Sequence, residues 1–131
     1  VLVNGEDGKV QKIITLPANS KIGDDGIFLI ADAQTGKPSQ SHILDANFID
    51  NFDPQNGPDA IQLLDDHGNL VDSLSYGSVK VNQASNGLSI LKGSPALDVP
   101  EGHSLSRVEA ADTNDNKTDF IDLEKPTPGV L

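Results

Sequence analysis

Turn-forming residues recur along the whole chain and limit the length of any regular element. The 131 residues include 12 glycines and 8 prolines, and Asn and Asp are frequent between the apolar runs. Glycine permits positive φ, proline lacks a donor N–H, and the side chains of Asn and Asp bond the backbone of tight turns. Because long helices have little room between such turns, the sequence predicts an all-β fold of short strands.

Size and charge narrow the class further. A length of 131 residues with an apolar fraction of 36% can supply one hydrophobic core, so we expect a single domain over residues 1–131. The formal net charge of −11 disfavours nucleic acid and anionic membrane surfaces as direct partners. No apolar run approaches the ~18 residues that a membrane span needs. The sequence also lacks methionine, and we expect it to be part of a longer protein.

The clearest local pattern is a β-hairpin. Apolar residues dominate positions 60–64, and the turn sequence Asp65-Asp66-His67-Gly68-Asn69 follows. In residues 70–77, mostly apolar positions alternate with mostly polar ones. Two such runs around a Gly-Asn turn predict two antiparallel strands. Asp72 falls on the mostly apolar face of the second strand. We expect it to lie at the sheet edge or to accept hydrogen bonds from the backbone, because a lone buried carboxylate is costly.

Other apolar runs predict further strands. The continuous run at residues 27–31 is typical of a core strand that is covered on both faces. Shorter or weaker runs predict strands at residues 1–3, 10–16, 88–91, 104–108 and 120–123. Short strands separated by turn clusters over about 100 residues are typical of a β-sandwich.

At three places the sequence resembles the lamin-tail domain. In the first, Leu16-Pro17-Ala18 leads into the apolar run of residues 27–31. The second is the hairpin, which carries Asp59-x-hydrophobic-x-Leu, a glycine turn, and Val71-Asp72 followed by Tyr76-Gly77. The third and most specific is a set of C-terminal motifs: Gly102-His103-Ser104-Leu105-Ser106-Arg107, Asp112-Thr113-Asn114-Asp115-Asn116, Asp119-Phe120 and Pro126-Thr127-Pro128-Gly129. Together these motifs cover most of residues 12–129.

The resemblance implies an immunoglobulin-like β-sandwich without an active site of its own. It also implies a bacterial module of a larger secreted or cell-envelope protein, and hence an extracellular or envelope location. The family pattern opens with an Asn-Glu pair and a Trp-x-Glu-Leu-type segment, and Trp is absent here. We therefore expect the domain to be N-terminally incomplete relative to the family. We expect an exposed sheet edge that pairs in a strand-mediated homodimer or with an upstream segment.

A short acidic stretch near the C-terminus is a candidate calcium site. Five Asp and Asn side chains lie within eight residues, namely Asp112, Asn114, Asp115, Asn116 and Asp119. The candidate ligands among them are Asp112, Asn114, Asn116 and Asp119. Ca²⁺ prefers such ligands on flexible loops. The stretch is not an EF-hand, because Lys117 stands where that loop needs glycine and Leu123 where it needs glutamate. Two interpretations stay open, namely a calcium site, and turn-capping side chains that need no cofactor.

No catalytic constellation is recognisable. The histidines at 42, 67 and 103 have no partner at a diagnostic spacing, and no nucleophile elbow, zinc-protease motif or phosphate loop occurs. We therefore predict a non-catalytic binding or tethering module whose partner is a protein or a cell surface. The alternative is a calcium-stabilised extracellular module that binds carbohydrate or matrix. The acidic loops favour this alternative, and the scarcity of aromatic residues, 4 Phe and 1 Tyr, opposes it.

Overall fold

The computed structural model describes residues 1–108 and 112–130. The described chain is rich in strand and has almost no helix, which confirms the predicted β class. Its elements are β1 Leu2–Asn4, β2 Val10–Lys12, β3 Ile30–Asp32, β4 Phe48–Asp50, β5 Asp59–Leu64, β6 Leu70–Tyr76, β7 Ser104–Arg107, α1 Asn116–Asp119 and β8 Phe120–Leu123. Within the described residues, no helix is both long enough and apolar enough to span a membrane.

The chain divides into two compact units. The larger contains Val1–Ile13 and Pro54–Pro126, and the smaller contains Ile14–Asp53 and Thr127–Leu131. Each unit is described by itself below. The expectation of one domain over residues 1–131 stays a prediction.

An antiparallel sheet of four strands organises the larger unit. Its strand order is β2-β1-β5-β6. The predicted hairpin is confirmed, since β5 and β6 pair from Asp59–Tyr76 to Leu64–Leu70. Gly68 closes its turn at φ 81°, a conformation that favours glycine. The N-terminal strand–turn–strand prediction is also confirmed, although β2 ends at Lys12 rather than at residue 16.

One face of this sheet carries the core. Val3 and Ala60 lie opposite each other on β1 and β5, and they pack with Ala84 and Ile90 from the segment that follows β6. Ile90 is fully buried, and burying such a side chain contributes about 1.5–3 kcal/mol. The other face leaves Leu63 54% exposed.

The segment that covers the core face is irregular. A strand predicted at residues 88–91 is wrong, because Ser89 forms only an isolated bridge with Gln83. The segment is instead held by Gln62, a buried side chain whose amide donates to the carbonyl of Ser89 at 2.9 Å. In this segment, hydrogen bonds from a side-chain amide to the backbone take the place of a strand ladder.

The C-terminal part of the larger unit is a second hairpin. Strands β7 and β8 pair antiparallel from Ser104–Leu123 to Arg107–Phe120, which confirms the strands predicted at residues 104–108 and 120–123. Between them, α1 is a single turn. It contacts both β6 and β8.

The smaller unit contains the parallel pair β3 and β4, with Ile30 opposite Phe48 and Asp32 opposite Asp50. The prediction of a core strand at residues 27–31 is wrong in extent and burial. Only Ala31 of that run is buried, and β3 begins at Ile30. The Leu29 N–H bonds the side chain of Asn47 at 2.6 Å. A sheet of two strands offers too little surface to cover both faces of a five-residue apolar run.

Candidate functional site

A cleft of about 430 Å³ opens in the larger unit at the end of the β5–β6 hairpin. Its lining residues are Gly57, Pro58, Gly77, Ser78, Ser94, Pro95, Ala96, Leu97, Asp98 and Lys117. The lining therefore consists mainly of small side chains and backbone. The cleft therefore allows close approach to main chain, and the side chains of Asp98 and Lys117 are its two charged members.

Gly77 is required where β6 turns out of the sheet into the cleft. Its φ is 72°, and a Cβ on this residue would lie 3.2 Å from the Cα of Pro58. Both the backbone conformation and the close approach favour glycine. The Tyr76-Gly77 pair of the hairpin motif thus shapes one wall of the cleft.

A second wall is a strand-like segment at residues 94–98. Tyr76 forms a parallel bridge with Ala96. The Ala96 N–H donates to the carbonyl of Ser75 at 2.8 Å, and the Gly77 N–H donates to the carbonyl of Ala96 at 3.0 Å. A single bridge at Ala96 therefore continues the sheet beside the end of β6.

The outer edge of residues 95–97 is open. In an extended segment, backbone groups of successive residues point to opposite sides, so those of Pro95 and Leu97 point away from β6. The Leu97 N–H bonds no residue in the described part of the chain. The Leu97 side chain is 71% exposed. Unpaired backbone at a sheet edge can accept another strand.

Asn116 explains why the edge lies at residues 95–97 and not at β6 itself. This fully buried side chain accepts from the Ser75 N–H at 2.9 Å and donates to the carbonyl of Ser73 at 3.0 Å. Its own N–H donates to the carbonyl of Lys92 at 2.9 Å. A side-chain amide thus covers the free side of β6 and anchors the segment that leads to the cleft.

The next residues of the C-terminal motif hold the start of this segment. The Lys117 N–H donates to the carbonyl of Ser94 at 3.0 Å, and the carboxylate of Asp115 accepts from the Ser94 N–H. The pKa of Asp115 is lowered, first by a hydrogen bond from the hydroxyl of Thr118 and then by the bond from Ser94. The wall of the cleft is therefore fixed before any ligand arrives.

Lys92, whose carbonyl accepts from the Asn116 N–H, belongs to an ion-pair network. Asp72 accepts from Lys92 at 2.6 Å and from Arg107 at 3.1 Å. The Ser73 N–H also donates to it at 2.8 Å, which confirms the predicted hydrogen bond from the backbone. Lys92 also lies 2.9 Å from Asp112. The hydrogen bond to Asp72, followed by that to Asp112, raises the pKa of Lys92.

The four candidate calcium ligands take different roles in this network. Asp112 pairs with Lys92, and the side-chain oxygen of Asn116 accepts from the Ser75 N–H. Asp119, also buried, accepts from the Thr113 hydroxyl at 2.7 Å and from the Thr113 N–H at 3.0 Å. Asn114 is exposed at φ 62°. Asp112, Asn116 and Asp119 thus already have protein partners, which favours the turn-capping interpretation, and the calcium site stays a prediction.

Another acidic group occupies the turn of the β5–β6 hairpin. Asp65, Asp66 and His67 bring ligand atoms near one another, and all three are exposed. Asp65 accepts from the backbone N–H groups of Asn69 at 2.7 Å and His67 at 2.9 Å. The hydrogen bond from the Asn69 side-chain amide lowers the pKa of Asp65 most, and these two backbone hydrogen bonds lower it further. The arrangement forms the hairpin turn, as the sequence predicted.

Beneath the cleft lie Asp59 and Tyr76, which are cross-strand partners. Asp59 is buried, and burial raises the pKa of its carboxyl. The Tyr76 hydroxyl donates to the carbonyl of Gln55 at 2.9 Å, and burial raises the pKa of Tyr76 to about 12. The tyrosine therefore remains a neutral hydrogen-bond donor that ties the loop before β5 to β6.

Sequence reasoning missed the carboxylate partner of His103. Nδ1 of His103 lies 2.8 Å from a carboxylate oxygen of Asp122. The pairing of β7 with β8 brings these residues together across 19 positions, a distance that no short motif reveals. The neighbouring Ser104 hydroxyl bonds the hydroxyl of Ser106 rather than the imidazole, so this pair lacks the geometry of a nucleophilic triad.

Comparison with known proteins adds no family. The sequence matches no protein-family model, and no curated protein or solved structure is significantly similar to it. The cleft and the open edge beside it are therefore the features on which a functional proposal rests.

Proposed function

We propose that this chain is a non-catalytic protein-interaction module that binds an extended, basic segment of a partner by strand addition. The observation that carries the proposal is the open edge of residues 95–97 beside the cleft. Leu97 offers an N–H without a partner among the described residues, together with an exposed side chain. In strand addition, main-chain hydrogen bonds give affinity and an adjacent pocket selects a side chain.

The charge of the chain supports a basic partner. With 20 acidic and 9 basic residues the net charge is −11, and such a field accelerates the approach of cations and slows that of anions. Asp98 lines the cleft and can pair with a basic side chain of the bound segment. Lys117 also lines the cleft, and its positive charge disfavours a basic side chain of the partner beside it.

The proposed fold is the immunoglobulin-like β-sandwich of the lamin-tail domain. Two observations support it. Asp59 and Tyr76, which belong to the hairpin motif, are opposite each other on β5 and β6, and the C-terminal motifs lie on the paired strands β7 and β8. On this proposal the module serves to tether a larger secreted or envelope-associated bacterial protein.

A strand-mediated homodimer would use the same edge, with a second copy as the added strand. Two copies that each carry −11 repel one another, which favours a basic partner over self-pairing. Light scattering over a range of protein concentrations tests this. A monomeric mass throughout agrees with the proposal, and a dimer that the Leu97→Pro substitution dissolves would assign the edge to self-association.

The experiment is a titration of ¹⁵N-labelled protein with two pentapeptides, Lys-Val-Thr-Val-Lys and Glu-Val-Thr-Val-Glu, both acetylated and amidated. We expect the basic peptide to shift the amide signals of Gly57, Gly77 and Leu97, and the acidic peptide to leave them unchanged. Ser78→Trp should abolish the shifts by filling the cleft. Gln11→Trp, on β2 at the opposite edge of the sheet, should not. If neither peptide shifts these signals, the proposal fails.

A further inference from the structure

Three Asn-Gly pairs occur in the described chain: Asn4-Gly5, Asn56-Gly57 and Asn86-Gly87. In such a pair the backbone nitrogen of glycine can attack the side-chain carbonyl carbon of asparagine, because glycine has no Cβ to hinder the approach. The reaction needs an unbonded glycine N–H and a side-chain amide that is free to rotate. The surroundings of the three pairs differ in both respects.

Asn4-Gly5 is held on both sides. The Gly5 N–H donates to the carbonyl of Pro58 at 2.8 Å. The side-chain oxygen of Asn4 accepts from the Glu6 N–H at 2.8 Å. Attack would break both bonds, and Gly5 is buried.

Asn86-Gly87 is also held. The Gly87 N–H donates to the carbonyl of Ala84 at 2.9 Å. The amide of Asn86 donates to the side chain of Gln62 at 2.8 Å, and its oxygen accepts from the Leu88 N–H at 3.0 Å. Three hydrogen bonds therefore oppose the rotation that attack requires.

Asn56-Gly57 has none of these restraints. Asn56 is exposed. Neither its side chain nor the Gly57 N–H bonds any residue in the described parts of the chain. Of the three pairs, only this one leaves both the glycine N–H and the asparagine side-chain amide without a hydrogen bond to the described residues.

We propose that Asn56-Gly57 is a site of spontaneous self-modification by deamidation. The Gly57 nitrogen forms a bond to Cγ of Asn56 and loses its proton to solvent. The bond between Cγ and the side-chain nitrogen breaks, and the NH2 group takes up one proton and leaves as ammonia. The resulting five-membered succinimide then takes up one water at either carbonyl. The product is aspartate or isoaspartate, and water is the only co-reactant.

The product carries a new carboxylate next to the cleft. Gly57 lines the cleft, and a Cβ on Gly57 would lie 3.4 Å from Oδ2 of Asp98. Deamidation therefore adds negative charge one residue away from the cleft lining, and isoaspartate also lengthens the main chain by one methylene. The effect on partner binding rests on the proposed function, whereas the reaction itself does not.

Peptide mapping by mass spectrometry after incubation in mildly alkaline buffer tests the inference. We expect the amide-to-acid mass change to accumulate at Asn56 while Asn4 and Asn86 stay unmodified. The same incubation in concentrated urea should bring the three rates close together, since the unfolded chain removes the protecting bonds. Native rates that are equal at the three pairs, or fastest at Asn4 or Asn86, would overturn it.

Amide hydrogen exchange provides a second readout that does not depend on the covalent reaction. The Gly57 N–H should exchange faster than those of Gly5 and Gly87, because only the latter two are bonded in the folded protein. A protected Gly57 N–H would overturn the inference as well. Asn56→Gln is the matched variant, and it should suppress the mass change because glutamine would have to close a less favourable six-membered ring.

Discussion

The side chain of Asn116 is bonded to Ser75, a residue 41 positions earlier in the chain. Its Oδ1 accepts from the Ser75 N–H at 2.9 Å and from the Ser75 hydroxyl at 3.2 Å. Both residues are fully buried. A single amide thus occupies the place of a neighbouring strand along β6, and the open edge of the sheet is displaced to residues 95–97.

Loss of the Asn116 amide should destabilise the protein strongly. Asn116→Ala leaves the Ser75 N–H and the Ser73 carbonyl buried without their partner, and each orphaned group costs about 1–3 kcal/mol. We expect urea denaturation to show a loss of about 2–5 kcal/mol. The matched control is Asn82→Ala at an exposed position, where the change should be small. Equal effects of the two substitutions would contradict the assigned role of Asn116.

Asp119 should stabilise the protein at neutral pH and lose this effect in acid. The Thr113 hydroxyl and then the Thr113 N–H lower the pKa of Asp119. Its contribution is therefore present above the ordinary Asp pKa of about 3.9 and is lost as the pH falls through the lowered value. Asp119→Asn should reduce the urea midpoint at neutral pH, and the difference from wild type should shrink in acid. A difference from wild type that stays constant into the acid range would contradict this role of Asp119.

Asp59 should have the opposite pH dependence. Burial raises its pKa, so its contribution to stability is present in acid and is lost as the pH rises through the raised value. Asp59→Asn keeps an acceptor for the Gly5 N–H but never ionises. We expect the variant to gain stability relative to wild type between acidic and neutral pH. A constant difference across that range would show that the pKa of Asp59 is the same in the folded and unfolded states, which would contradict the raised value.

Calcium should leave the melting temperature unchanged. The carboxylates of Asp112 and Asp119 already bond Lys92 and Thr113, and an ion would have to displace these donors. A ligand that binds only the folded state raises stability by RT ln(1 + [L]/Kd), or about 2.7 kcal/mol at one hundred times Kd. Thermal unfolding of chelator-treated protein over a calcium series measures this. A rise that Asp112→Asn removes would establish the calcium site that the sequence suggests.

The hairpin of β5 and β6 was predictable because its signals are local. Alternating side chains define the strands, and Gly68 supplies the positive φ of the turn within a few residues. The strands around residues 104–108 and 120–123 were predictable on the same grounds.

The cleft was not predictable, because it depends on contacts between distant residues. Ala96 bridges to Tyr76 across 20 positions of sequence, and neither residue type marks such a pairing. The sequence marked Asn116 as a calcium ligand or a turn cap, since sequence cannot tell whether an amide oxygen meets an ion or the backbone of β6. The same limit applies to residues 27–31, where an apolar run indicated burial that the two-stranded sheet does not provide.

The most direct test of strand addition at residues 95–97 is calorimetric binding of the Lys-Val-Thr-Val-Lys peptide to the Leu97→Pro and Leu97→Ala variants. Proline removes the N–H that we assign to the partner strand, whereas alanine keeps it and removes only the exposed side chain. The ¹⁵N spectra of both variants report whether the fold persists. The account predicts that Leu97→Ala binds with little loss and that a folded Leu97→Pro does not bind. Equal binding by the two folded variants would contradict it.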